Sequence, residues 1–360
     1  MDYQQTVAKL GVLVLRLKIV PQRTPLRLPA WSKGNTLRGA FGMAFRRLVC
    51  IPQCPRAAAC PLDHRCPYKV IFEPSPPAGS ERLSKSQDTS RPFVFRPPIE
   101  PRTTYAPGED FEFGLNLIGR AIDYLPYFVL SFRDVARAGL GIGRAPCELT
   151  EVLVPGSARV PPASVYSAQD QLFHTPQTQP LADWVEQRLQ ALGCRPPAAR
   201  DGSRTTNHEL QTVGNEPRAS DRGLRTKDKG LRTITVHFLT PTSLKFEGRA
   251  GVQPEFHHLF KRVRDRLNML CTFYGPGPID ADFKGLGERA EDVRTMASKL
   301  DWIERSRVSG KTHRPHELSG FVGSCSYQGW LNEFLPWVAA GELIGAGRHT
   351  AWGNGQYSLR

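Results

Sequence analysis

Four cysteines fall within a short stretch, Cys50, Cys54, Cys60 and Cys66, spaced C-x3-C-x5-C-x5-C. Four thiolates on short loops can surround one tetrahedral zinc ion, which holds them without redox chemistry. Pro52, Pro55, Pro61 and Pro67 interrupt regular structure there. A bound ion would therefore organise a segment that has little core of its own. His64 could replace one cysteine, and an iron–sulfur cluster is the runner-up. Four protein ligands leave no open coordination position, so the expected role is structural. The bland alternative is four unrelated cysteines; Cys147, Cys194, Cys271 and Cys325 are scattered.

Two further segments carry chemistry. The first is the basic stretch Arg305-Ser306-Arg307-Val308-Ser309-Gly310-Lys311-Thr312-His313-Arg314, with His316 just beyond. Its charges and hydroxyls suit the backbone of a nucleic acid, and Arg305, Arg307, Lys311 and Arg314 are the candidate contacts. The second is the glycine-rich end, Gly341 to Arg360. Glycines let a backbone approach a phosphate closely, and Arg348 supplies charge beside Gly345 and Gly347. Taken alone, that segment could equally be a bulged hairpin. The formal net charge of +14 over 360 residues points the same way, because a balance so basic favours a polyanionic partner. Trp302, Trp330 and Trp352 could stack on bases, although tryptophan is more often core.

The elements that must hold these groups read as two similar series. Leu13, Leu15, Leu17 and Ile19 share one face of a strand over Val12–Val20. That apolar run is too short to cross a bilayer and carries Arg16 and Lys18, so a cytoplasmic protein without disulfides is expected. Next comes a helix capped at Asn35 or Thr36, with Leu37, Phe41, Ala44, Phe45 and Leu48 as its apolar stripe. A proline-rich stretch leads to a strand through Phe111, Phe113, Leu115 and Leu117. A second helix over Ala121–Ala138 ends at Gly139, and a strand follows from Glu148. Residues 195–230 are poor in apolar side chains and read as a flexible linker. Then Ile234, Val236 and Phe238 alternate. Phe256 to Tyr274 keep helical spacing, with His257 and His258 expected on the surface. A strand near Phe321–Tyr327, a short helix near Asn332–Ala340 and a last strand ending at Leu359 close the chain. The fold class is α+β: two tandem ferredoxin-like (RRM-like) domains. The expected domains are 1–194, with the cysteine-rich insertion 50–66, and 231–360, joined by 195–230.

The run Gly345-x-Gly347-Arg348-x-Thr350-x-x-Gly353-x-Gly355-x-Tyr357, closing such a unit, resembles the glycine-rich loop of the RAMP superfamily. Upstream, Gly320-Phe321-Val322-Gly323, Tyr327-x-Gly329, Phe334-Leu335-Pro336 and Gly341-Glu342 are similar to landmarks of the CRISPR repeat-processing endoribonucleases. Leu37-Arg38-Gly39-Ala40-Phe41-Gly42 and Gly139-Leu140-Gly141 extend the likeness into the N-terminal half. The resemblance implies repeat RNA as substrate and crRNA-guided complexes of Cas proteins as partners. It also implies a metal-independent cut in which the ribose 2′-hydroxyl attacks the adjacent phosphate, leaving a cyclic phosphate. No cofactor serves that cut; zinc would be structural only.

Many members of that family place a catalytic histidine near the first helix, whereas Pro25 to Val49 contains none. Ser32, Lys33 and Arg38 occupy that region instead. Lys33 or Arg38 could stabilise the charged phosphorane, and His313, His316 or His349 could move a proton. Three readings follow: an endoribonuclease that cuts CRISPR repeat RNA, a RAMP subunit that only holds crRNA, and an unrelated zinc-dependent nucleic-acid-binding protein.

Overall fold

The structure, a computed structural model, describes residues 1–30, 32–50, 66–74, 90–156, 160–194, 231–246, 249–250, 254–308 and 315–360. The expected linker and most of the cysteine-rich insertion lie outside the described residues, as do Lys311, His313 and Arg314.

In the N-terminal half the chain runs α1 (Tyr3–Lys9), β1 (Gly11–Pro21), α2 (Lys33–Val49), α3 (Pro67–Phe72), β2 (Phe93–Arg96), β3 (Phe111–Ile118), α4 (Leu125–Ala138), β4 (Cys147–Val154), β5 (Ala163–Ser167) and α5 (Leu181–Ala191). The strands pair antiparallel in the order β2-β3-β1-β4-β5. The period-two face of β1 is the reason for the core: Leu13, Leu15, Leu17 and Ile19 are all buried. Above them Phe41 of α2 stacks on Phe128 and Phe132 of α4, at centroid distances of 4.8 and 5.3 Å. Such ring pairs add about 0.5–1.5 kcal/mol beyond the area they bury. Helix α2 begins at Lys33, two residues before the expected cap, and Ser32 makes no side-chain capping bond. A 3₁₀ turn over Gly119–Tyr124 replaces the first part of the helix expected from Ala121.

The C-terminal half contains β6 (Leu231–Thr242), α6 (Phe256–Tyr274), α7 (Phe283–Arg289), β7 (Arg294–Ile303), β8 (Gly320–Trp330), α8 (Leu335–Ile344) and β9 (Tyr357–Leu359). Its antiparallel order is β7-β8-β6-β9. Helix α6 has the bounds its spacing predicts, and Phe256, Leu259, Phe260, Val263, Leu267 and Leu270 are fully buried along it. Each such side chain contributes about 1.5–3 kcal/mol. His257 departs from expectation: it is 8% exposed, in a turn whose preceding residue Pro254 is tied to β8 by Tyr327 Oη.

The halves share a core. Val12, Val94 and Ile118, on the face of the first sheet opposite Leu13, join the C-terminal cluster with Leu181, Val185 and Leu189 of α5. Polar groups lock that contact. Asn116 Nδ2 donates to Leu343 O at 2.8 Å, and Gln356 Nε2 donates to Phe95 O at 3.3 Å. The Arg188 guanidinium reaches Glu342 through Nε at 2.6 Å and Nη2 at 2.9 Å, and Nη2 also donates to Leu359 O at 2.7 Å. Among the described residues no helix is long and apolar enough to cross a membrane.

Candidate nucleic-acid interface and cleft

A cleft opens where the start of α2 meets the glycine-rich end of the chain. Ser32, Lys33, Gly34 and Asn35 line one side, Pro97 to Ile99 the floor, and Arg305, Trp352 and Asn354 the other. The approach is close because position 34 has no side chain: a Cβ there would lie 2.1 Å from Trp352 O. The first turn of a 17-residue helix thus faces the cleft. The helix dipole makes that wall positive, and Lys33 and Arg305 add charge.

Lys33 is only 2% exposed, and its Nζ donates to Glu100 O at 2.5 Å. Burial lowers its pKa below the ordinary lysine value, against the opposing pull of Glu100. Glu100 is itself held by Tyr105, whose Oη donates to Glu100 Oε1 at 2.9 Å. Burial, followed by that hydrogen bond, raises the Tyr105 pKa. On the far wall, burial lowers the pKa of Arg305. Its backbone is fixed by Ser319, which accepts from Arg305 N at 3.0 Å and donates to Arg305 O at 3.2 Å.

The other candidates divide. Arg38 does not line the cleft; its guanidinium sits over Phe72, 4.4 Å from the ring centroid, and 5.8 Å from that of Phe93. It is five residues beyond Lys33 and so turns to another face of α2. His349 adopts a left-handed backbone, φ 61°, sustained by Trp352 N and Asn354 N, which both donate to its carbonyl at 2.9 and 3.3 Å. Its ring stacks on Trp352 at 4.8 Å and 18°, so it backs the cleft wall through that tryptophan. Arg348 is exposed, with Arg348 N donating to Ser243 O at 3.2 Å.

Within the described residues the glycines of this segment serve its own packing. Ala346 N donates to Gly355 O at 2.8 Å, and a Cβ on Gly355, at φ +70°, would stand 1.9 Å from Ala346 O. Gly345 and Gly347 also have positive φ. Ser306–Val308 pairs with Pro315–Glu317, so the backbones of Arg307 and His316 lie in one small hairpin. Cys50 caps the end of α2, half-buried, and Cys66 precedes α3, buried; Cys54, Cys60 and His64 lie outside the described residues.

Sequence reasoning missed Glu100 and Tyr105, because a carbonyl acceptor leaves no mark in residue type. It also missed Gln356, whose 2% exposure only the fold reveals.

Two α+β units joined through a basic cleft form a class suited to gripping a polyanion. Comparison with known proteins gives a family for the C-terminal unit. Residues 236–357 match the family model of the CRISPR-associated endoribonuclease Cas6, and residues 10–178 match a model described as an N-terminal domain. Residues 236–357, in the C-terminal unit, thus carry a domain of the CRISPR-associated endoribonuclease Cas6 type. No individual curated protein sequence matches it. Among solved structures, a partial Cas6-RT-Cas1–Cas2 complex matches over 98% of this chain and 46% of that one, at 12% identity and a TM-score of 0.51, a likeness of fold. A Cas6 product complex matches at 15% identity and a TM-score of 0.48, covering 98% of this chain and all of that one. Cas6 of Thermus thermophilus matches at 14% and 0.48, with the same coverage.

Proposed function

We propose that this protein binds CRISPR repeat RNA in the cleft between its two units and cuts it to give crRNA. The observation that carries the reading is the meeting of the α2 N-terminus, Lys33 and Arg305 with the glycine-rich end of a Cas6-family domain. Each sheet has the connectivity strand–helix–strand–strand–helix–strand with the third strand beside the first, which supports two ferredoxin-like domains over 1–194 and 231–360. The protein is read as cytoplasmic. A solved assembly of like fold is a Cas6-RT-Cas1–Cas2 complex, so a place beside other Cas proteins, with the crRNA retained, fits.

The chemistry asks for little from the protein. The 2′-hydroxyl attacks the adjacent phosphorus and gives its proton to an imidazole or to water, the bond from phosphorus to the 5′-oxygen breaks as that oxygen takes up a proton, and the products are a 2′,3′-cyclic phosphate and a 5′-hydroxyl. Charge grows on the phosphoryl oxygens during that step. The helix terminus, Arg305 and the Lys33 ammonium are fixed before reaction and only partly screened by water, so they stabilise that charge without reorganising. A lysine whose pKa burial has lowered also releases a proton more readily, to the leaving oxygen. His349, whose ring stacks on Trp352 of the cleft wall, is the imidazole that the glycine-rich segment offers. Zinc on Cys50, Cys54, Cys60 and Cys66 would brace the segment between α2 and α3 and take no part in the cut.

A second reading is a RAMP subunit that holds crRNA without cutting it. The bond from Lys33 Nζ to Glu100 O favours it, because that bond occupies one of the amine's three donors. Incubation with a repeat RNA and with a shuffled RNA separates the readings. A single cut confined to the repeat, ending in a cyclic phosphate, supports the enzyme; tight binding of intact repeat supports the holding subunit.

A further inference from the structure

A second cluster of chemistry-bearing side chains lies at the start of α6, outside the cleft lining. Glu255 is the N-cap residue, and His257 and His258 stand in the first turn. One ligand atom from each lies within 4.8 Å of the others. Glu255 Oε2 is 3.3 Å from His257 Nδ1, and the two imidazole centroids are 4.1 Å apart. The burial is graded: His257 is buried, His258 half-buried and Glu255 exposed. Two ligands are thus set against the protein while the third faces the solvent from which an ion would enter. The residue before Glu255 is anchored, since Tyr327 Oη donates to Pro254 O at 2.9 Å. The adjacent cation, Lys261, lies one turn beyond His257 and is engaged with Glu291 at 2.7 Å.

We propose that Glu255, His257 and His258 form a binding site for one divalent cation of the zinc, cobalt or nickel class. Two imidazole nitrogens and a carboxylate oxygen are the donor set such ions take, with water completing the coordination. Bond lengths of about 2.0–2.1 Å require ligand atoms about 3.4 Å apart, so the outer atoms must close by about an ångström. The exposed Glu255 side chain has room to swing. The ion would pin the first turn of α6, and nothing in its position involves it in cutting RNA.

The test uses the full chain, freed of any affinity tag and stripped of metal. Zinc is titrated calorimetrically into the wild type, His257→Gln/His258→Gln and Glu255→Gln. The wild type should take up one equivalent more than the double variant, and Glu255→Gln should bind that equivalent about tenfold more weakly. Cobalt separates this site from the cysteines, because its visible bands here lack the near-ultraviolet absorption of a thiolate complex. Equal stoichiometry in the wild type and a folded double variant would overturn the proposal. Should the double variant fail to fold, unchanged affinity in Glu255→Gln would overturn it, because that side chain is 66% exposed and its loss leaves the core intact.

Discussion

Replacing Lys33 by alanine tests the cleft most sharply. The amine is 2% exposed and gives one donor to Glu100 O, which leaves two for a phosphate. Removing one fixed donor from a charge-stabilising site costs about 2.7–4 kcal/mol in the transition state, or about 10²–10³ in rate. In the ground state the scissile phosphate is one of many contacts along the RNA, so Kd should rise by less than about fivefold, roughly 1 kcal/mol. Single-turnover cleavage under saturating enzyme, beside equilibrium binding of the uncut 2′-deoxy repeat, measures the two terms separately. Equal losses in rate and affinity would refute the assignment and make Lys33 a structural residue. A pH titration adds a check. The folded-state pKa of Lys33 lies below its unfolded value, so between the two the unfolded chain binds more protons, and stability rises with pH. That gain is complete above the unfolded pKa and absent below the folded one. The stability difference between wild type and Lys33→Met should therefore shift toward the wild type as pH rises toward 10.5. A difference independent of pH would contradict the burial of the amine.

Gly34→Ala should part α2 from Trp352, because the new Cβ would meet a backbone oxygen at 2.1 Å. Urea denaturation should show a loss of about 1–3 kcal/mol, and cleavage should fall further than Lys33→Ala alone explains. Glu342→Ala leaves the Arg188 guanidinium and Leu359 N without their carboxylate. With Glu342 8% and Arg188 27% exposed, the cost in the same assay should be about 3 kcal/mol, at the low end for a broken buried pair. Replacing both Cys50 and Cys66 by serine should remove one equivalent of thiolate-bound zinc, read from the cobalt-substituted spectrum, while sparing the site at His257.

What was legible in the sequence follows a physical rule. Strand β1 and helix α6 could be read to within a residue or two, because each presents one buried face and so a clean period. Strand β7 left no such signal: Arg294 to Leu300 are exposed but for the last, so no apolar alternation marks them, and only pairing with β8 reveals the strand. Helix α5 follows the first sheet in sequence yet packs on α8, which residue spacing cannot show. The cleft was half legible. Residue types pointed to Arg305 and the glycine segment, and the family resemblance to Lys33 and Arg38, but the aromatic face of Phe72 draws Arg38 elsewhere. Gly345 and Gly347, read as phosphate contacts, both have positive φ, and a Cβ on Gly347 would stand 2.4 Å from Ser243 O, a packing demand that residue type does not announce.

The central claim is that this cleft cuts repeat RNA by attack of its own ribose. The direct measurement mixes the purified protein with a repeat RNA from the host's CRISPR array in EDTA, beside the same RNA carrying a single 2′-deoxy nucleotide at the cut site. A single cut in the first, abolished in the second while binding is kept, is the predicted result. Tight binding of both RNAs with no cut in either would contradict the account and make the protein a holder of crRNA.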